Sequence, residues 1–180
     1  MRLPERVGDQ VRIGVALQVP EPYGPYLQRA RAGFGDPLAQ CIPPHVTLVG
    51  PTVVEPDEFE VIGAHLTEVG LAHAPFTIHL RGTGTFRPVS DVVFVQVAEG
   101  IAECEILESA VRTGPLAQEL RFHYHPHVTV AHDVPGDALD RAFEDLAHFE
   151  ARFLVEAIQV YEHGDDGVWR PVREYPLALG

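Results

Sequence analysis

The sequence predicts a duplicated α+β fold, and three observations carry that expectation. Short runs rich in branched residues alternate with stretches of helix length, in the order strand, helix, strand, helix, strands, and then much the same again. One string occurs twice, as Pro44-His45-Val46-Thr47-Leu48-Val49 and as Pro126-His127-Val128-Thr129-Val130-Ala131, its copies 82 residues apart in a chain of 180. With 46% apolar residues and no run of even twelve uninterrupted apolar positions, the chain can bury a sizeable core but does not read as spanning a membrane.

Each element follows from local signals. Residues 12–19 alternate loosely and are rich in branched side chains, a strand ended by Pro20. Residues 23–34 read as a helix with Gly33 and Gly35 at its end. Residues 45–49 are a short strand after Pro43-Pro44, stopped by Gly50-Pro51. Asp57, Glu58 and Glu60 fall in the first turn of the next helix, where the helix dipole favours acids, and that helix runs to about residue 69. Residues 76–81 and 92–97 form a strand pair around a Gly82-Thr83-Gly84 turn and Arg87-Pro88. A helix spans 101–112, the second motif strand 127–131, and a further helix 137–148 after Pro135-Gly136. Residues 153–161 and 169–175 close the chain as a hairpin around Gly164-Asp165-Asp166-Gly167.

Composition removes several chemistries. All 13 basic residues are arginine, so there is no lysine for a Walker-type phosphate loop, a pyridoxal Schiff base or a nucleophile that carries an adenylate. The only serines, Ser90 and Ser109, lie outside any Gly-x-Ser-x-Gly elbow. Cys41 and Cys104 have no CxxC spacing and read as reduced thiols, which together with an N-terminus lacking a signal-peptide pattern leads us to expect a cytoplasmic protein. The formal charge of −13 is concentrated in residues 51–70, 99–108 and 133–150, which sum to −5, −4 and −5. Such a chain is not expected to grip a long duplex nucleic acid along its backbone, yet a single terminal phosphate remains compatible with it. Neither a membrane nor a protein partner is indicated.

The repeated string has a chemical use. Side chains alternate across a strand, so His45 and Thr47 share one face and His127 and Thr129 share another, each opposite apolar residues. Displacement at phosphorus needs a base for the attacking oxygen, an acid for the departing oxygen and donors for the non-bridging oxygens. Two imidazoles, with an unperturbed pKa of roughly 6.5, can be base and acid in one turnover, and threonine hydroxyls can be the donors. No metal or other cofactor is required.

Paired His-x-Thr motifs, one in each half of a chain of this length, resemble the two-histidine (2H) phosphoesterase superfamily, which includes the RNA 2′,3′-cyclic phosphodiesterases historically called 2′-5′ RNA ligases. The resemblance extends over the opening strand and helix, both motifs, residues 76–86 and the closing hairpin with Tyr161 and Tyr175. It implies one domain, residues 1–180, made of two pseudo-symmetric lobes, each contributing a motif: a bilobal fold with two antiparallel sheets flanked by helices around a central cleft. It also implies metal-independent catalysis by His45 and His127, with Thr47 and Thr129 holding phosphate. Many members place an arginine or lysine just after the second motif, whereas here Ala131 is followed by His132.

Lesser candidates for substrate contact are His125 in the approach to the second motif, Arg81 on the Thr77-His79-Arg81 strand face, and Arg87 and Arg121. That strand face otherwise reads as solvated. His123, His125 and His127 alternate, which on a regular strand would offer three imidazoles to a metal, although Pro126 interrupts the run. The expected function is hydrolysis of a 2′,3′-cyclic phosphate at an RNA end or on a small nucleotide, with reverse 2′-5′ joining as its counterpart. The alternatives are a phosphodiesterase of this fold for another small cyclic phosphate, a histidine-cluster metal protein, and a nucleotide-binding protein without turnover.

Overall fold

Side chains that alternate between apolar and polar, and runs that are apolar throughout, set two kinds of strand in this molecule. The computed structural model describes residues 3–179. In chain order the elements are β1 (Val11–Gln18), α1 (Tyr23–Gly33), β2 (His45–Val54), α2 (Glu58–Leu71), β3 (Phe76–Thr85), β4 (Val92–Glu99), α3 (Ile101–Val111), β5 (His127–His132), α4 (Gly136–Asp145), β6 (Glu150–Val155), β7 (Ala157–His163) and β8 (Trp169–Pro176). They form two four-stranded antiparallel sheets, ordered β2-β1-β7-β8 and β5-β4-β3-β6, in the bilobal α+β arrangement the motifs suggested. No helix among the described residues is long and apolar enough to cross a membrane.

The sheets are not the two halves of the chain. The first takes its strands from both ends and the second from the middle, so the repeat in sequence is a repeat of position rather than of contiguous lobes. Each motif strand lies at the edge of its sheet, β2 beside β1 and β5 beside β4, and the two edges meet. The helices reinforce that junction. α1 connects β1 to β2 yet packs against β5, and α3 connects β4 to β5 yet packs against β2. Val46 and Leu48 on one strand, and Val128 and Val130 on the other, are buried on the faces away from the histidines. Each such side chain stabilises the fold by about 1.5–3 kcal/mol relative to exposure, which anchors the register of the polar face.

Three local expectations are corrected. Gly50-Pro51 does not stop the second strand, which runs on to Val54. Val49 pairs with Val15 and Thr52 with Ile13, so Gly50 and Pro51 together oppose Gly14 in a β-bulge, where an edge strand tolerates a missing N–H. Gly82-Thr83-Gly84 is not a turn but part of β3, with Arg81 and Gly82 bulged opposite Gln96. Residues 153–161 are not one strand: they divide at Glu156 into β6, buried at every second residue, and β7, buried almost continuously because it is central in the other sheet.

Candidate active site

Backbone bonding just upstream of each motif fixes the orientation of its imidazole. The His45 Nδ1 lies 2.8 Å from the Pro43 carbonyl oxygen, and the His127 Nδ1 lies 2.7 Å from that of His125. A carbonyl can only accept, so Nδ1 carries the proton in both rings and Nε2 of the neutral imidazole is left as an acceptor. Neither Nε2 has a hydrogen-bond partner among the described residues. The threonines behave alike. Thr52, Thr67, Thr83, Thr85 and Thr113 each donate their hydroxyl to a backbone carbonyl, whereas Thr47 and Thr129 donate to no described residue. Two unengaged imidazole nitrogens and two unengaged hydroxyls therefore stand on strands that adjoin.

Register extends the pseudo-symmetry beyond the motifs. His45 is paired with Gln18 of β1, and His127 with Gln96 of β4. Thr47 faces Ala16, while Thr129 faces Phe94, and this difference makes the two sides unequal. Around His127 lie the rings of Phe86 at 5.0 Å, Phe94 at 5.2 Å and His125 at 5.8 Å between centroids. Gly84 is required here, because a Cβ at that position would come within 2.6 Å of the Phe94 ring. Tyr161, whose ring is 6.3 Å from that of His45, is buried with its hydroxyl unpaired among the described residues, and burial pushes its pKa up to about 12. It is therefore a neutral donor at any ordinary pH.

Burial also disfavours charge on both motif histidines. The His45 pKa is pulled down to about 4, first by loss of hydration and then by the nearby Arg31 and His127, against a raising contribution from the Pro43 carbonyl. The His127 pKa is lowered as well, again chiefly by burial, with the bond to the His125 carbonyl opposing and His125 reinforcing the shift. In the free protein burial thus favours the neutral form of both rings.

Two long-range bonds tie the segment of the second motif to the first part of the chain. The Tyr124 hydroxyl, in the segment entering β5, donates to the Thr47 carbonyl at 2.9 Å. The His132 amide, at the end of β5, donates to Asp36 Oδ2 at 3.0 Å. Asp36 is buried, and its carboxylate also accepts from Arg31 Nε at 2.7 Å and from the Leu38 amide at 2.9 Å. Replacing Tyr124 by phenylalanine is expected to lower stability by about 1 kcal/mol, and more where the Thr47 carbonyl is left unsatisfied. Urea unfolding monitored by tryptophan fluorescence measures it.

The lesser candidates separate. His125 sits with the two phenylalanines beside His127. Arg81 is exposed on the motif-bearing face of its sheet, at the bulge opposite Gln96 and hence two strands from His127. Arg87 is drawn away, its Nη1 bound to Asp140 of α4 at 2.8 Å on the helix-covered side. Arg121 is exposed and lies over the Phe122 ring rather than against either motif. His79 corrects the expectation of a solvated face: it is buried, donating from Nε2 to Glu150 at 2.7 Å and accepting from Arg152 at 3.1 Å. His123 is exposed in the loop, and no three His, Cys, Asp or Glu side chains among the described residues come together as metal ligands.

Comparison with known proteins fits this geometry. The model of the 2′-5′ RNA ligase superfamily matches residues 19–167. The chain belongs to that superfamily. Among its relatives, a Halalkalibacterium halodurans protein with a provisional phosphoesterase name is 29% identical over 170 residues, 92% of this chain and 96% of its own length. A Bacillus thuringiensis protein with the same provisional name is 32% identical over 149 residues, 81% of this chain and 85% of its own. The fold of this superfamily member is shared with Escherichia coli LigT in complex with 3′-AMP, at a TM-score of 0.70 and 18% identity over 93% of this chain and 98% of that one. LigT in complex with NADP+ gives a TM-score of 0.67 at 17% identity, over 94% of this chain and 99% of that one.

Among the residues with no motif to announce them, Asp36, Tyr124, Gln18, Gln96 and Phe94 acquire their places only through tertiary pairing. Asp36 and the amide it binds are 96 positions apart, and nothing local signals such a contact.

Proposed function

We propose that the chain is a phosphoesterase that opens 2′,3′-cyclic phosphates, at an RNA end or on a small nucleotide, without a metal. Family membership supports phosphoester chemistry in general. The observation that supports the finer reading is the matched pair of imidazoles, each with Nδ1 committed to a carbonyl and Nε2 open.

His45 carries the larger downward shift and is the group to be found neutral, while His127 is the more readily protonated of the two. In hydrolysis, His45 Nε2 takes a proton from water as the water oxygen bonds to phosphorus. The bond from phosphorus to one ribose oxygen breaks, and His127 Nε2 delivers its proton to that oxygen. The product is the 2′- or the 3′-monophosphate, with the hydroxyl on the neighbouring ribose carbon released. Thr47 and Thr129 donate to the non-bridging oxygens as charge grows on them. Arg81 adds positive potential on the motif-bearing face, and His125 packs beside His127. With a hydroxyl of a second nucleotide attacking phosphorus in place of water, the same proton transfers in the same direction join two nucleotides without ATP.

The pH dependence follows in sign. Activity in kcat/KM requires His45 neutral and His127 charged, so it rises as His45 loses its proton near pH 4 and falls as His127 loses its own below pH 6.5. The expected profile is a bell displaced to the acid side of a pair of unperturbed imidazoles, with kcat displaced upward from it because bound phosphate favours the imidazolium. A steady-state profile on adenosine 2′,3′-cyclic phosphate decides. A rate independent of pH between 4 and 9 contradicts the two-histidine reading.

A further inference from the structure

A cavity of about 630 Å³ adjoins the motif of the first sheet, with Gln18, Gln159 and Glu174 in its lining. Antiparallel partners share a face, and the register leads from motif to cavity by two routes. Gln18 is the direct partner of His45. Ala16 is the partner of both Thr47 and Gln159, and Gln159 in turn pairs with Glu174, so one row crosses the sheet as Thr47, Ala16, Gln159 and Glu174.

The polar side chains of this cavity are amides and carboxylates. Gln159 is 7% exposed and donates through Nε2 to the Arg173 carbonyl at 2.7 Å and the Val160 carbonyl at 3.4 Å. Its Oε1 accepts from no described residue, and the side chain belongs to the lining of the cavity. Glu21, Glu156 and Glu174 add three carboxylates, and no arginine or histidine is in the lining. The Gln18 side chain makes no hydrogen bond to a described residue and is free to turn toward a ligand. Pro20, Pro75 and Leu154 supply apolar wall. Acceptors of this kind recognise hydroxyl and amino groups, and they repel phosphate, which is anionic and offers acceptors only.

We propose that this cavity seats the neutral, donor-bearing organic part of the substrate, the nucleoside of a 2′,3′-cyclic mononucleotide, and excludes a second phosphate. The proposal rests on the hydrolase reading above and narrows it: an RNA end, which brings a phosphate on the 5′ side of its last nucleotide, is the disfavoured substrate.

The experiment compares adenosine 2′,3′-cyclic phosphate with the same compound bearing a 5′-phosphate, in the wild type, Glu174→Arg and Gln18→Ala. The wild type is expected to favour the first compound by about tenfold in kcat/KM. Glu174→Arg should abolish or invert that ratio, and Gln18→Ala should raise KM for the first compound more than it changes kcat. The same two compounds are titrated calorimetrically into His127→Ala, where the ratio of Kd values should also be about tenfold. Equal kcat/KM or equal Kd for the two compounds overturns the proposal, as does a preference that Glu174→Arg leaves unmoved. A wild type that turns over neither compound yet binds them with the expected ratio defeats the hydrolase reading and leaves the seat standing.

Discussion

Replacement of His45 by alanine, or of His127 by alanine, is expected to lower kcat on a 2′,3′-cyclic nucleotide by about 10³-fold, within the range of roughly 10²–10⁴ that positioned acid–base groups contribute. Each ring is fixed by a single Nδ1 bond and has its other nitrogen uncommitted, so truncation removes the proton relay with little else. The double variant should be scarcely slower than either single one, because base and acid act in the same step and their losses do not add. Far-ultraviolet circular dichroism should be unchanged, since the apolar neighbours Val46, Leu48, Val128 and Val130 hold both strands in place. A loss of less than tenfold in either variant would remove that histidine from the chemistry.

The largest effect on stability is expected at Arg31. Its guanidinium meets the Asp36 carboxylate at 2.7 Å with side-chain exposures of 6% and 0%. Arg31→Met leaves that carboxylate buried without its cation, which costs about 3–5 kcal/mol. For a chain of this size that lowers Tm by about 10 °C or more. The double variant Arg31→Met/Asp36→Asn should recover much of the loss, because no buried charge is then left unpaired. Calorimetric unfolding of the three proteins measures the effect. The site should feel the single substitution too. Arg31 is among the groups that depress the His45 pKa, so its removal moves the acid limb of the kcat/KM profile upward.

Much of this was legible in the sequence for identifiable reasons. A three-residue pattern repeated with its flanking proline and apolar residues makes a strand with one polar face, and period-two alternation then dictates that His45 and Thr47, or His127 and Thr129, project together. Helix starts and ends were visible wherever acids or glycine marked them, as at Glu58 and Gly33. Glycine misled where it allows a bulge instead of a turn, at Gly50 and at Gly82, because the two uses differ only in what lies on the neighbouring strand. The division of residues 153–161 between two sheets was hidden for the same reason, since a strand that changes partner at Glu156 keeps its β propensity throughout. Arg87 looked like a free cation, yet Asp140, 53 positions later, claims it. Gln159, likewise, has meaning only through its register with Ala16.

Phosphorus NMR of adenosine 2′,3′-cyclic phosphate incubated with the wild-type protein in excess EDTA tests the central claim most directly. The cyclic phosphate signal is expected to give way to that of one monophosphate, the 2′ or the 3′ isomer but not a mixture, and His127→Ala is expected to leave the spectrum unchanged over the same interval. A cyclic phosphate that persists with the wild type, or that opens equally fast with His127→Ala, would contradict it.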